Sequence, residues 1–294
     1  MLRFDQAWSL YRAAEVRLPS PPPPCATTPV AGLVDLLDRF DAFVLDAWGV
    51  LNLGSAPIPT ARAAFAALRA TGKPLVVVSN DGSSDPEQGA ARHSGRGFAV
   101  APYEIVYGVD LLPDALAARS FAPERCALVG DRRPPRVAAA LGLGDLDQAP
   151  DPDAIVFLST VGFDERERAR VEALMSARPR PVLVGNPDIV SPEVDGIAIE
   201  PGYYAHDWAA RFGAPVDFLG KPFAGVYTRA LERLGHPEPR RVLCVGDSPH
   251  TDVLGGRAAG CATLLVRSGF LRGQNAERLC AESGLTPDFI APAL

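Results

Sequence analysis

The feature that most limits how this chain can fold is a series of short, continuous apolar runs separated by stretches with helical periodicity. Continuous rather than alternating apolar residues are typical of strands buried on both faces, as in parallel sheets covered by helices. We therefore predict an α/β fold with a doubly wound parallel sheet. The runs of strand length are Phe43–Leu45, Leu75–Val78, Ala127–Val129, Ile155–Leu158, Val182–Val184, Val242–Val245 and Thr263–Val266. The main helical stretches between them are Thr60–Ala70, Arg166–Ala177, Gly225–Leu234 and Thr251–Ala259.

Composition restricts the class of partner. The 294 residues carry a net charge of −6, which disfavours a nucleic-acid partner because such partners require a basic face. No apolar run in the sequence is long enough to cross a bilayer, and the five cysteines include no CxxC pair. Cys244 and Cys261 lie inside apolar runs and are predicted to be buried thiols. We therefore expect a cytoplasmic protein without a membrane partner.

Residues 1–24 precede the first predicted strand as a separate arm. Leu2 to Val16 is predicted to form a short amphipathic helix with Phe4, Trp8 and Tyr11 near one face. The proline-rich run that follows is predicted to be an extended spacer. No motif in the arm indicates its role.

Polar side chains follow several of the predicted strands at the points where the strands end. Asp46 and Ser79 follow the first two strands, Asp247 and Asp252 follow a later one, and Lys221 lies in a Gly-Lys-Pro sequence. The ligand crevice of an open α/β sheet lies beyond the carboxyl ends of its strands, so these side chains are predicted to converge. Together they are the groups needed to hold Mg²⁺ and a phosphate beside a nucleophile.

A second Gly-Asp pair, Gly130-Asp131, is not assigned to this site. In the pair Gly246-Asp247 the aspartate is followed five residues later by Asp252, whereas the other copy has Arg136 at that spacing. Asp131 is therefore predicted to be a cap or turn residue.

The order of these motifs resembles that of the haloacid dehalogenase-like (HAD) hydrolase superfamily. The pattern Asp-x-x-Gly-Val-Leu-x-x-Gly at Asp46–Gly54 is similar to the class IIA branch, in which an α/β cap covers the crevice, and so is the segment Gly185–Asp188. The resemblance covers most of the chain but not the arm or the C-terminal tail. It implies a Rossmann-like core of residues 1–112 and 201–294 and a smaller α/β cap of residues 113–200.

The resemblance also implies roles for individual residues. Asp46 is the nucleophile that forms an aspartyl-phosphate, and Asp247 and the backbone carbonyl of Trp48 complete the Mg²⁺ site with it. Asp252 either ligates the ion directly or orients a bound water and Lys221. The alternative for Asp252 is an exposed acid in the first turn of a helix.

Contacts to the phosphate and to the rest of the substrate are implied in the same way. Ser79 and Asn80 donate side-chain and backbone hydrogen bonds to the phosphate oxygens, and Lys221 supplies positive charge. In the cap, Asn186 and Asp188 help to select the substrate, or else they form only a structural turn.

Trp48 departs from the family pattern. The resembling phosphatases have an aspartate at this position, which protonates the leaving oxygen and then deprotonates the attacking water. An indole cannot exchange a proton at neutral pH, so slow hydrolysis and a preference for activated substrates are expected. His250 is an alternative proton donor if it reaches the crevice rather than lying in a surface loop.

The sequence therefore predicts a Mg²⁺-dependent phosphatase that acts on a small phosphorylated metabolite. Two alternatives stay open, namely a protein that binds a phosphorylated ligand without turnover and a phosphotransferase. Dehalogenation is disfavoured because the two acids in Gly246–Asp252 suit a metal that dehalogenases do not need. The sequence leaves open whether the protein is a homo-oligomer.

Overall fold

The computed structural model describes residues 1–130 and 135–294, and Asp131, predicted to be a cap or turn residue, lies outside this part of the chain. The described residues form a seven-stranded sheet, a four-stranded sheet and two hairpins of two strands each. Their strands are β1 Thr28–Pro29, β2 Ala42–Leu45, β3 Asn52–Leu53, β4 Ala56–Pro57, β5 Leu75–Ser79, β6 Ile105–Tyr107, β7 Cys126–Gly130, β8 Ala154–Ser159, β9 Val182–Val184, β10 Val190–Glu193, β11 Gly196–Ile199, β12 Val216–Phe218, β13 Val242–Gly246, β14 Ala262–Val266 and β15 Phe289–Ala291. Their helices are α1 Phe4–Ala14, α2 Pro59–Ala70, α3 Pro86–Gly95, α4 Leu112–Ala118, α5 Arg136–Ala140, α6 Glu165–Ala177, α7 Pro201–Phe212, α8 Ala224–Arg233, α9 Leu254–Ala258 and α10 Ala276–Ser283.

The larger sheet has the strand order β1-β15-β14-β13-β2-β5-β6, and its neighbouring strands all run parallel. From β2 the chain adds β5 and β6 on one side, and later adds β13, β14 and β15 on the other side. The direction of strand addition therefore reverses between β2 and β13, and a ligand crevice forms beyond such a reversal. This topology confirms the predicted doubly wound parallel sheet.

Helix α2 shows how the helices cover this sheet. Pro59 occupies the first turn, where its missing N–H has no intrahelical partner to lose. Ala61, Phe65 and Leu68 follow at helical spacing and are buried. They pack in the same apolar cluster as Phe43 of β2. Burial of this face against the sheet fixes the segment as a helix.

The smaller sheet has the order β12-β9-β8-β7, and its strands are also parallel. It has an apolar cluster of its own, in which Phe157 of β8 stacks on Trp208 of α7 with ring centroids 5.7 Å apart. Three of its strands lie within residues 113–200, the range predicted for the cap. The predicted boundary after residue 200 separates β12 from this sheet, because β12 is a short run that carries a charged residue and was not recognised as a strand.

The seven strands predicted from apolar runs are confirmed to within one residue at each end. The helix predicted for Thr251–Ala259 begins as a π-helical turn, Pro249–Val253, which α9 continues. Cys244 and Cys261 are buried, as predicted. Among the helices described, none is both long enough and apolar enough to span a membrane.

Candidate active site

The crevice lies at the carboxyl ends of β2, β5 and β13. Asp46 follows β2, Ser79 ends β5 on one side of it, and Asp247 follows β13 on the other side. All three residues are buried. A ligand beside Asp46 is therefore within reach of residues from three parallel strands.

The turn after Asp46 approaches Asp247 so closely that only glycine fits at position 49. Gly49 has a φ of +81°, and a Cβ atom there would lie 1.8 Å from Asp247 Oδ2. Ser268 fixes the same turn, because its Oγ donates a hydrogen bond to the Gly49 carbonyl at 2.7 Å. The glycine of the Asp-x-x-Gly pattern is therefore required by the packing of the site.

Three buried carboxylates meet in the crevice. One oxygen from each of Asp46, Asp247 and Asp252 lies within 4.8 Å of the other two. Burial raises the pKa of Asp247 well above its ordinary value, and the charges of the other two carboxylates raise it further. A cluster of oxygen donors with excess negative charge fits a divalent cation.

Lys221 compensates part of this charge. Its Nζ atom lies 2.7 Å from Asp46 Oδ1 and 2.7 Å from Asp252 Oδ1. Burial alone would lower the pKa of Lys221, but the carboxylates of Asp252, Asp46 and Asp188 raise it above its ordinary value. Burial raises the pKa of Asp46 to about 7, an effect that Lys221 opposes and Asp252 reinforces. The lysine is therefore charged and holds one oxygen of Asp46 in place.

Asp252 is buried and fully engaged, so the alternative of an exposed acid is wrong. Its Oδ1 atom accepts a hydrogen bond from Lys221, and its Oδ2 atom accepts from the backbone N–H of Asp247 at 3.2 Å and of Ser248 at 3.1 Å. These bonds fix both the loop that carries Asp247 and the ammonium group of Lys221.

The Asn80 side chain is not free to bind a phosphate. Its Nδ2 atom donates to the Lys221 carbonyl at 3.1 Å and to Asp188 Oδ1 at 2.9 Å, while its Oδ1 atom accepts from the Lys221 N–H at 2.7 Å. Because both amide hydrogens are bonded, the predicted side-chain donation from Asn80 is wrong for this arrangement. Ser79 differs, since its Oγ atom accepts from the Asp81 N–H at 3.2 Å and its hydroxyl hydrogen can point into the cavity.

The cap segment that contains Asn186 and Asp188 forms a turn and also faces the cavity. Asn186 Oδ1 accepts from the Asp188 N–H at 3.0 Å, and Asn186 Nδ2 donates to Glu200 Oε2 at 3.1 Å. Both Asn186 and Asp188 line the cavity. The turn therefore presents the two side chains, and the structural interpretation does not compete with a role in substrate selection.

Two acids on the cap side have raised pKa values. Burial raises the pKa of Asp188 to about 7, and the charge of Lys221 and the hydrogen bond from Asn80 oppose this effect. Burial also raises the pKa of Glu200 to about 7, opposed by the hydrogen bond that Ser191 Oγ donates to Glu200 Oε1 at 2.6 Å. The cap side of the cavity therefore carries two carboxyl groups that hold their protons more tightly than usual.

Trp48 lines the cavity from the core side. Its Nε1 atom is buried and has no hydrogen-bond partner among the described residues. The guanidinium group of Arg96 lies 5.7 Å from the centre of the indole ring. The side chain therefore supplies an aromatic surface at the position where the family pattern has a carboxylate.

His250 does not reach the crevice. Its side chain is fully buried against α1, where the ring stacks on Tyr11 with centroids 5.0 Å apart and Nε2 lies 3.0 Å from Glu15 Oε1. Both predicted positions, the crevice and a surface loop, are wrong because the N-terminal helix covers this loop. His250 is therefore unsuited to replace the missing proton donor.

A cavity of about 230 Å³ extends from the carboxylates to the cap. The core, the cap and helix α1 all contribute to its lining. The lining residues that the sequence did not assign include Tyr11, Arg92, Ser191, Glu193, Glu200 and Phe270. The only sequence signal for Tyr11 was its place on the apolar face of an amphipathic helix, and the other five residues belong to no motif.

Comparisons with known proteins agree with this architecture. A model described as haloacid dehalogenase-like hydrolase matches residues 43–144, and a HAD-hydrolase-like model matches residues 218–294. An acid sugar phosphatase from Staphylococcus aureus is 24% identical to this chain over 243 residues, which are 79% of this chain and 88% of the relative.

Solved structures share the fold. A possible sugar phosphatase of the HAD superfamily from Cytophaga hutchinsonii has a TM-score of 0.78 at 25% identity, over 91% of this chain and 98% of that chain. A glycerol phosphate phosphatase from Mycobacterium tuberculosis, in complex with magnesium, has a TM-score of 0.70 at 23% identity, over 87% of this chain and 75% of that chain.

The fold and the site define a capped α/β protein with an acidic crevice at the reversal point of its sheet. Residues 43–144 and 218–294 match haloacid dehalogenase-like hydrolase families, and 91% of the chain shares the fold of a solved structure of that superfamily.

Proposed function

We propose that this protein is a phosphatase that hydrolyses a small phosphorylated metabolite through an aspartyl-phosphate on Asp46. The observation that carries this proposal is the Asp46 carboxylate, which Lys221 Nζ holds at 2.7 Å in a cavity also lined by Ser79 and Asp247. The names of the relatives, acid sugar phosphatase and glycerol phosphate phosphatase, support this class of reaction.

The proposed reaction has two steps. In the first, the Asp46 oxygen that is not bonded to Lys221 attacks phosphorus, the bond from phosphorus to the ester oxygen breaks, and the leaving alkoxide takes up a proton from water. In the second, water attacks phosphorus, the bond to Asp46 breaks, and inorganic phosphate leaves with the carboxylate regenerated. Lys221 and Ser79 stabilise the phosphate oxygens in both steps.

We propose Mg²⁺ as the cofactor, held by Asp46, Asp247 and the backbone carbonyl of Trp48. A bound divalent cation would offset the charges of the carboxylates and of the phosphate. We assign Asp252 to the positioning of Lys221 and of the Asp247 loop, since its Oδ2 atom already accepts two backbone hydrogen bonds. The magnesium in the Mycobacterium tuberculosis structure supports this choice of ion.

Trp48 leads us to propose that turnover depends strongly on the leaving group. Without a carboxylate at this position, an alkoxide leaving group receives no proton from residue 48. An aryl or acyl phosphate needs that proton less, because its leaving group is already a weak base. We therefore propose slow hydrolysis of alkyl phosphates and a phosphoenzyme that persists.

The proposal gives different tasks to two units. The core carries the reacting groups, and the cap selects the substrate with Asn186 and Asp188. We place the second boundary after Phe218 rather than after residue 200, because β12 pairs with β9 of the cap sheet. The five unpaired cysteines support a cytoplasmic location.

A screen of phosphorylated metabolites, with and without Mg²⁺, tests the proposal. We expect release of inorganic phosphate that requires the cation and is lost in Asp46→Asn. Transfer to an added acceptor without phosphate release would identify a phosphotransferase instead. The absence of any cation-dependent phosphate release across the screen would contradict the proposed hydrolysis.

Trp48 also favours a second candidate, a protein that binds a phosphorylated ligand without turnover. The tryptophan removes the usual proton donor but leaves Asp46, Lys221 and Asp247 in place. Calorimetric binding of a phosphate ester, without phosphate release by the wild type, would establish this candidate.

A further inference from the structure

Helix α1 lies across the boundary between cap and core, beside the mouth of the cavity. On the cap side, the Leu2 N–H donates a hydrogen bond to the Ile197 carbonyl of β11 at 2.8 Å. Tyr11 and Ala7 of the helix share an apolar cluster with Val190 of β10. The hairpin of β10 and β11 is therefore held by the arm as well as by the cap.

On the core side, the same helix packs on the two loops that surround the acidic crevice. Directly after the helix, Glu15 Oε1 lies 3.0 Å from Nε2 of His250, which stands between Asp247 and Asp252 in the sequence. The ring of Phe270 lies 5.3 Å from that of Phe4, and the Phe270 N–H donates to Asp247 Oδ2 at 2.6 Å. One helix thus contacts both the cap hairpin and the groups that fix Asp247.

Tyr11 is the residue of α1 that enters the cavity. It is 3% exposed, its ring lies edge-on to Phe270 with centroids 5.5 Å apart, and its Oη atom lies 3.5 Å from the Val190 carbonyl. It lines the same cavity as Asp46 and Asp188. A side chain between the cap hairpin and Phe270 limits the space left for whatever is attached to the phosphate.

The charges around the cavity add a second restriction. Asp188, Glu193 and Glu200 line its cap side. Arg92 also lines the cavity, but its Nη2 atom lies 2.5 Å from Asp81 Oδ2 and is therefore paired. A leaving group that carries its own negative charge would lie beside these carboxyl groups, whereas a hydroxyl group can hydrogen-bond to them whether or not they are protonated.

We propose that Tyr11 is a specificity-determining residue that contacts the leaving group, so that the arm restricts this site to compact, uncharged alcohols. This inference rests on the proposed phosphatase function. The phosphate-binding groups Ser79 and Lys221 belong to the core, whereas the hydroxyl of Tyr11 lies beside the Val190 carbonyl of the cap hairpin. Recognition of the leaving group is therefore separable from recognition of the phosphate.

Calorimetry in an Asp46→Asn background, which cannot form the aspartyl-phosphate, tests this separation. The ligands are inorganic phosphate, glycerol phosphate as a compact polyol ester, and phosphoglycolate as an ester with a second anion. We expect Tyr11→Ala to weaken the binding of glycerol phosphate about tenfold, while the affinity for inorganic phosphate should change less than about twofold. Phosphoglycolate is expected to bind more weakly than glycerol phosphate before and after the substitution.

Three further variants make the result specific. Tyr11→Phe keeps the ring and should retain most of the ester affinity, whereas Tyr11→Leu keeps apolar volume and replaces the alanine variant if that variant does not fold. Tyr204→Ala is the matched control, because Tyr204 packs between Phe163 and Trp208 of the cap and lies outside the cavity lining. In active protein, Tyr11→Ala should raise kcat/KM for a bulky ester relative to glycerol phosphate.

The outcomes separate the two proposals. Equal affinity for glycerol phosphate in the parent and in Tyr11→Ala would overturn the role of Tyr11, and so would equal losses for the ester and for inorganic phosphate. If the Asp46→Asn variant binds neither phosphate nor either ester, and the wild type shows no turnover, the proposed phosphatase function is overturned instead.

Discussion

The two sides of the cavity are built in different ways. The floor consists of Asp46, Ser79 and Asp247, each at or directly after the end of a strand in one parallel sheet. The wall consists of Tyr11, Asp188 and Glu200, which come from the N-terminal helix, a cap turn and the residue before α7. The floor residues are fixed by the pairing of strands within one sheet, whereas the wall depends on how the N-terminal arm and the cap pack together.

Under the proposed function, the floor determines the reaction and the wall determines which substrate is accepted. In the proposed reaction, a change in the floor removes a group that reacts or binds phosphate, so its effect does not depend on the alcohol attached to the phosphate. A change in the wall alters the space and charge around that alcohol. The comparison therefore predicts which measurements respond to each substitution, and the experiments below are ordered from the largest expected effect to the smallest.

The largest effect is expected for Asp46→Asn. The substitution is nearly isosteric and removes the attacking charge, so turnover should fall by about 10⁴-fold or more while the melting temperature is retained. Asp41→Asn is a matched control, because Asp41 precedes the same strand, is exposed, and pairs with Arg241 instead of the site. Activity near that of the wild type in Asp46→Asn would rule out covalent catalysis by this residue.

The next effect is expected for Trp48→Asp, which restores a carboxylate beside the floor. Hydrolysis of an alkyl phosphate should increase by about 10²-fold or more, because general acid–base catalysis typically contributes about 10²–10⁴-fold. An aryl phosphate should respond less. Asparagine has the same size as aspartate but exchanges no proton, so Trp48→Asn should not produce the gain. Rapid alkyl phosphate hydrolysis by the wild type would show that residue 48 is not limiting.

Metal affinity should distinguish two acids of similar burial. Asp247→Ala removes a proposed ligand and should weaken Mg²⁺ binding by about 100-fold, whereas Asp252→Ala should weaken it by about tenfold through the loss of its bonds to Lys221 and to the Asp247 loop. Calorimetric titration of Mg²⁺ measures both constants. Identical affinities in the wild type and the two variants would remove the proposed cation from this position.

The smallest effect concerns the wall and appears in stability. Burial raises the pKa of Glu200 to about 7, so the folded protein binds this proton more tightly than the unfolded chain does. The wild type should therefore lose stability relative to Glu200→Gln as the pH rises from about 4 through 7, by about 1–2 kcal/mol. Urea unfolding at pH 5 and pH 8 measures the change.

Glu124 is exposed and lies outside the cavity, so Glu124→Gln is the control for Glu200→Gln. Its stability relative to the wild type should be the same at both pH values. If the difference for Glu200→Gln is also the same at pH 5 and pH 8, the carboxyl group of Glu200 is not protonated by its burial.

The floor could be predicted from the sequence because its signals are local. A continuous apolar run followed by Asp46 or Ser79 specifies both a buried strand and a polar group at its end. The wall gives no such signal, since Glu200 precedes a helix in an unremarkable run and Tyr11 reads as one aromatic residue on an amphipathic face. The same limit explains His250, whose burial depends on a helix more than two hundred positions earlier in the sequence.

The side-chain donation predicted for Asn80 failed for a different reason, while donation from its backbone N–H stays a prediction. The Ser-Asn-Asp-Gly run correctly indicates a strand end at the cavity, but residue types do not show which way an amide group turns. In the structure the Asn80 amide is used by Lys221 and by Asp188 of the cap. Prediction therefore succeeded for the place of the residue and failed for its partners, which are set by loops more than one hundred positions away.

The contacts of the N-terminal arm also have a consequence for the order in which the molecule assembles. The pair formed by Glu15 and His250 spans 235 positions, and the bond from Leu2 reaches Ile197 in the cap. Closing loops of this length costs chain entropy before any contact compensates it. Because the pairing of Val242 with Ala42 closes a loop of nearly the same length in the larger sheet, we expect docking of the arm and completion of that sheet to occur late and together.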